Sequence, residues 1–189
     1  MLIFYDQLSQ IVCDYREQYG VLPTIKVITH SHGGNVVLNM AKMKNGDRED
    51  FVIDELILLA CPVQAMTMEF IRDPMFKKIY TIYSSLDLVQ VLAPQVVYKK
   101  YADKNGKMCA ALNFPPLSDR LFPNHTNMAQ VKIKMNGRAL FHGEFVDAKF
   151  LSALADIIHA IDVWNIPTLT ESTMHVVHLL CVHTTYKHR

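Results

Sequence analysis

Apolar side chains recur at helical spacing near both ends of this chain and fall into short β-rich runs between them. In residues 2 to 19, LIFYDQLSQIVCDYREQY, the residues Leu2, Phe4, Tyr5, Leu8, Ile11, Val12 and Tyr15 stand in i, i+3, i+4 and i+7 relation. That stripe predicts an amphipathic helix, closed by Gly20 and kept from continuing by Pro23. Thr24 to Thr29, TIKVIT, predicts a strand buried on both faces. From Asn35 to Lys44 the helical stripe returns through Val36, Val37, Leu38, Met40, Ala41 and Met43, and the charged tract NGDRED predicts a solvated turn.

The alternation continues. ELILLAC, Glu55 to Cys61, predicts a second buried strand stopped by Pro62; residues 64 to 76 predict a helix; KIYTIYS, Lys78 to Ser84, predicts a third strand. Leu92 to Asn127, rich in Pro, Lys and Asn, reads as an irregular excursion. QVKIKM, Gln130 to Met135, alternates as a fourth strand before the turn signal Asn136-Gly137. Asp147 to Trp164 carries Phe150, Leu151, Leu154, Ile157, Ile158 and Ile161 on one helical face. Strands separated by helices predict an α/β fold, a mainly parallel sheet of about four strands with helices on both faces. One domain is expected over residues 1–164. Residues 165–189 form a tail in which His175, His178, His183 and His188 lie among apolar residues, a loose extension or a late edge strand.

Bulk properties narrow the function classes. With 19 basic and 18 acidic side chains the net charge is +1, so the balance gives no argument for nucleic acid or an anionic membrane. No apolar run approaches the ~18 residues of a membrane span. The opening MLIFYDQLSQ lacks a basic n-region and meets Asp6 early, so no signal peptide and a cytoplasmic location are expected. Cys13, Cys61, Cys109 and Cys181 stand far apart with no C-x-x-C, which reads as reduced thiols, Cys61 being a small core residue.

The chemistry concentrates in ITHSHGGN, residues 28 to 35. Thr29-His30-Ser31-His32 reproduces the first half of the THxHxDH metal signature of the metallo-β-lactamase fold. Gly34 and Asn35 stand where that signature brings its Asp and His, and two imidazoles leave a catalytic zinc short of three protein ligands; no metal is expected. The other reading is a serine at a sharp strand-to-helix corner, where only small neighbours tolerate the close approach of the two elements. Thr29-His30-Ser31-His32-Gly33, with Gly34 following, has this small-x-Ser-x-small form between a predicted strand and a predicted helix.

This segment resembles the nucleophile elbow of the α/β-hydrolase superfamily, and within it of lipase-like serine esterases. The resemblance implies a Ser-His-Asp triad in the chain order Ser, acid, His, working without a cofactor. Ser31 is then the nucleophile. Asp87, just past KIYTIYS in a YSxxDxVQ-like ending, is the acid, against the plain reading of a turn-forming aspartate. His142, after the fourth strand and before the last helix, is the base, with His125 as runner-up. The backbone N–H of His32 would be one oxyanion-hole donor. His30, His32 and Gly33 would line the pocket, or the imidazoles simply pack at a crowded corner. Val96, Val97, Tyr98, Leu112, Phe114, Leu121 and Phe122 could cover an acyl chain.

The resemblance also implies a truncated version of that fold, because four strands normally precede the nucleophile strand and here a single helix does. The strand at residues 24–29 is then left with an open edge, which invites self-association or a partner chain. Two functions follow: cleavage of a small-molecule ester or lipid, or a catalytically inactive remnant that binds through its open sheet edge.

Overall fold

The computed structural model describes residues 2–43, 51–92, 119–163 and 176–179. Four parallel strands lie side by side in chain order: β1 (Lys26–His30), β2 (Ile53–Leu59), β3 (Phe76–Tyr83) and β4 (Met128–Met135). Each runs about as predicted, β2, β3 and β4 beginning two residues earlier than the sequence pattern suggests. After β4, Asn136 and Gly137 both take left-handed φ (52° and 77°) and turn the chain into β5 (Arg138–Ala139), antiparallel to β4. These paired positive φ angles are those of a tight hairpin turn, which Asn and Gly adopt most readily. Val176–Leu179 forms β6, parallel to β4 with Lys132 beside Val176, making six strands in one sheet.

Side chains alternate across the strands, so the sheet has two apolar faces. Leu56, Leu58 and Ile79 point into one core with Tyr5 and Val12 of α1 (Leu2–Tyr19) and Val37 and Leu38 of α2 (Gly33–Leu38). Ile57, Leu59, Tyr80, Ile82, Val131 and Ile133 point into the other, beneath α4 (Ala148–Val163). That helix buries Phe150, Leu154, Ile157, Ile158 and Ile161 at i, i+3, i+4 and i+7 spacing, each such side chain worth about 1.5–3 kcal/mol of transfer free energy. Its last turn is tied down where Asp162 accepts hydrogen bonds from Tyr80 Oη (2.8 Å) and Lys78 Nζ (2.6 Å).

Several expectations change. β1 is not buried on both faces: among the described residues it pairs only with β2, and Ile28 remains 55% exposed. The helix expected over Asn35–Lys44 stops at Leu38 and continues as a 3-10 turn, Asn39–Met43. There the Asn39 amide donates to the Asn35 carbonyl at 2.9 Å, a side chain competing for a helical acceptor. Residues 64–76 contain only a 3-10 turn, Met68–Arg72, before Asp73 turns extended (ψ 134°), as a residue preceding proline must. A short helix, α3 (Leu88–Leu92), leads up to the segment read as irregular, in a stretch for which no element was expected. Phe122, grouped with the residues covering an acyl chain, instead lies in the core at 3% exposure. Residues Val96, Val97, Tyr98, Leu112 and Phe114, the NGDRED tract, and His175, His183 and His188 lie outside the described residues.

Candidate functional site

Parallel strands in chain order bring their carboxyl ends to one edge of the sheet, the usual place for a site in an open α/β fold. Ser31 follows the end of β1, Asp87 the end of β3, and His142 the hairpin that leaves β4.

Ser31 turns the chain from strand to helix within two residues. Its N–H still donates to Leu59 O at 2.9 Å, continuing the parallel ladder, while its carbonyl accepts the first helical bond of α2 from Gly34 N at 3.1 Å. Joining the two requires φ +54° at Ser31, a left-handed conformation for a residue with a Cβ. Such a residue typically carries about 1–3 kcal/mol of strain and persists where its surroundings over-determine it. The glycine demanded by close approach is Gly34, not Gly33. A Cβ on Gly34 would lie 2.5 Å from Cys61 Sγ and 3.0 Å from Leu58 Cδ2, whereas one on Gly33 would meet Thr29 Cβ at an ordinary 3.7 Å. Thr29 fits by donating its hydroxyl to Ile57 O on the neighbouring strand at 3.3 Å. Behind the corner, buried Asn35 donates to Pro62 O (2.9 Å) and accepts from the Thr67 hydroxyl, pinning α2 to the end of β2. Burial pushes the Cys61 thiol up to about 12, which makes it packing rather than chemistry.

Asp87 is fully buried, and its two carboxylate oxygens have different tasks. Oδ1 accepts the Gln90 N–H at 2.9 Å and so caps α3; Oδ2 lies 2.8 Å from His142 Nδ1. This aspartate therefore both caps a turn and contacts a histidine. The loop around it is clamped by Arg120, whose Nη2 donates to the carbonyls of Asp87 (3.0 Å) and Ser85 (3.3 Å).

His142 opens a 3-10 turn, His142–Val146, that rests on Glu144. The Glu144 carboxylate accepts the Phe141 N–H at 2.7 Å, and Glu144 N donates back to Phe141 O at 3.1 Å. Arg138 completes the support, and its guanidinium holds the Glu144 carboxyl down at about 2.

Both neighbours of Ser31 sense His142. His30 Nε2 is 3.0 Å from the His142 carbonyl, and the two rings pack with centroids 4.5 Å apart. Burial lowers the proton affinity of His30, and a nearby His142 adds repulsion; the same two causes act on His32, whose Nδ1 is buried. Ser31 thus directly follows a residue, His30, whose ring packs against the imidazole held by Asp87. His125 stands elsewhere: it precedes β4, at the opposite edge of the sheet, where Nδ1 meets Asn127 and Asn127 in turn donates to Phe76 O at 2.9 Å. Among the described residues no three His, Cys, Asp or Glu side chains converge as metal ligands. No helix of the described residues is long and apolar enough to cross a membrane.

Comparison with family models, curated proteins and solved structures returns no match to this chain. Function must therefore be argued from the site alone. Its usable parts are a serine on a strained corner, a histidine whose Nδ1 is held by a buried carboxylate, and the backbone N–H groups at the start of α2. The signals missed in the sequence were Arg120 and Glu144, ordinary surface-type residues whose roles depend on contacts across 33 residues for Arg120 and on a turn only the fold defines for Glu144.

Proposed function

We propose that this chain is a serine hydrolase of the α/β-hydrolase type that cleaves carboxylic esters. The observation that carries the reading is the 2.8 Å contact between Asp87 Oδ2 and His142 Nδ1 at the strand ends that also bear the strained Ser31. A carboxylate accepts only, so Nδ1 is the protonated nitrogen and Nε2 is left as the base. Ser31 Oγ attacks the ester carbonyl while His142 Nε2 takes its proton, and buried Asp87 stabilises the imidazolium that forms. The His32 N–H stabilises the oxyanion. His142 returns the proton to the leaving alkoxide, and water, activated by the same imidazole, releases the acyl group. Exposed Leu86, Leu88 and Val89 beside Asp87, and Phe141 beside His142, favour an apolar acyl group, hence a lipid or other hydrophobic ester. A fluorophosphonate probe is expected to label Ser31 and to lose that labelling in Ser31→Ala and His142→Ala. Absence of labelling in the parent chain refutes an active serine.

A second reading is favoured by the open side of β1. Exposed Ile28 joins Ile57, Leu151, Leu154 and Ile158 along a groove of about 450 Å³ between β1 and α4. In this reading the chain is an inactive interaction module that pairs through that edge. Light scattering separates the two: a monomer that turns over esters defeats the module, and an inactive obligate complex defeats the enzyme.

A further inference from the structure

We propose that His30 is a positioning residue for His142: its Nε2–H, donated to the His142 carbonyl, and its ring, packed against the His142 ring, hold that imidazole in line with Asp87. The inference rests on the reading of His142 as the base.

His30 is the last residue of β1 and the immediate neighbour of Ser31, so its backbone is fixed by the parallel ladder to β2, with His30 beside Leu59. His142, by contrast, follows a hairpin and opens a 3-10 turn, elements with few ladder bonds of their own. The 3.0 Å contact from His30 Nε2 to His142 O crosses 112 residues of chain and ties the movable partner to the rigid one. A carbonyl oxygen only accepts, so His30 must carry its proton on Nε2. The ring contact, at 4.5 Å between centroids and 43° between planes, supports the face of His142. Two constraints, one on backbone and one on ring, define an orientation where either alone leaves a rotation free.

The charge state of His30 suits this task. Burial, the largest influence, and repulsion from His142 lower its proton affinity, against the raising effects of the His142 carbonyl and Asp87. A neutral neighbour lets His142 accept the serine proton without facing a second cation. A lysine or arginine at this position would supply a donor and yet oppose that step.

The test uses His30→Ala and His30→Gln in the full chain, with His142→Ala to assign the resonances. Ring ¹⁵N shifts report which nitrogen of His142 carries its proton, and they do so whether or not the protein turns over. The parent is expected to hold His142 as the Nδ1–H form. His30→Ala is expected to shift it towards the Nε2–H form that free imidazole side chains prefer in water. For hydrolysis of a short p-nitrophenyl ester, kcat is expected to fall roughly 10- to 100-fold with KM little changed, the signature of a misaligned base rather than a lost binding contact. His30→Gln, whose amide can still donate to the His142 carbonyl, is expected to recover much of both. An unchanged ¹⁵N pattern in His30→Ala overturns the inference, as does a loss of kcat that Gln restores no better than Ala. If the parent is inactive and unlabelled by fluorophosphonate, the hydrolase reading fails, while the ¹⁵N comparison still decides whether His30 positions His142.

Discussion

Adding one methyl group at Gly34 tests how tightly the corner beneath Ser31 is built. On the present backbone, the Cβ of Gly34→Ala falls 2.5 Å from Cys61 Sγ, 3.0 Å from Leu58 Cδ2 and 3.1 Å from Cys61 Cβ. Carbon atoms in good contact lie about 3.5–4.0 Å apart, so α2 or the end of β2 must move. Neither moves freely. Leu58 is fully buried, and Cys61 is fixed by the Asn35 amide, which also holds Pro62 O at 2.9 Å. Overpacking a core costs about 1–3 kcal/mol, while Ala gains about 0.8–1.0 kcal/mol over Gly within a helix. The net expectation is a loss of up to about 2 kcal/mol, a fall in Tm of up to about 8 °C for a chain of this size. Gly33→Ala provides the internal control, since its nearest neighbour would be Thr29 Cβ at 3.7 Å, and it should be neutral or slightly stabilising. Urea unfolding followed by circular dichroism measures both. Gly34→Ala/Cys61→Ala should recover part of the loss, with a coupling of about 0.5–3 kcal/mol. A Gly34→Ala protein no less stable than Gly33→Ala would show that the strand and helix are not in close approach, and the case for a tightly built corner beneath Ser31 would fail with it.

Three further outcomes are expected. Asp87→Asn removes the charge while keeping the shape, leaving an amide that can favour the wrong His142 tautomer; ester turnover should fall by about 10⁴ with the circular dichroism spectrum intact, and an unchanged kcat refutes the triad. His30 and His32 both have proton affinities held below the ordinary 6.5, chiefly by burial, so unfolding takes up protons. The stability they permit is full above about pH 6.5 and declines as pH falls below it; thermal melts at descending pH should show this, and His30→Gln/His32→Gln should flatten the slope. Ile28→Lys places a charge on the open edge of the sheet, where Ile28 is 55% exposed. It should cost less than about 0.5 kcal/mol of monomer stability and abolish any edge-to-edge association seen by light scattering.

Sequence pattern sufficed for what repeats. The four parallel strands, the first and last long helices and the Asn136-Gly137 turn follow from periodicity and turn chemistry, which are local properties. Asp87 and His142 are picked out through the resemblance, whose chain order puts acid and histidine after later strands, and sheet geometry explains why they meet. A parallel sheet in chain order sends every strand end to the same edge, so residues just past those ends become neighbours. Where long-range contacts override local preference, the pattern misled. The Asn35–Lys44 stripe has helical spacing throughout, yet Asn39 competes for a backbone acceptor and the helix tightens after Leu38. TIKVIT has the composition of a central strand, but burial depends on a neighbour that composition does not report. The part played by His30 was invisible for the same reason, since its partner lies 112 residues away.

The two faces of the sheet draw on different stretches of chain, and this orders events on the ribosome. Among the described residues, side chains filling the face under α1 and α2 come mostly from Tyr5 to Ile79, joined late by Phe122 and Met128. The opposite face, with Ile57, Leu59, Tyr80 and Ile82, takes its helical cover, among the described residues, from Phe150 to Ile161. A nascent chain halted before α4 therefore presents a broad greasy surface to solvent, a natural target for chaperones. Losing that last helix should convert the protein from a folded species to a client of quality control.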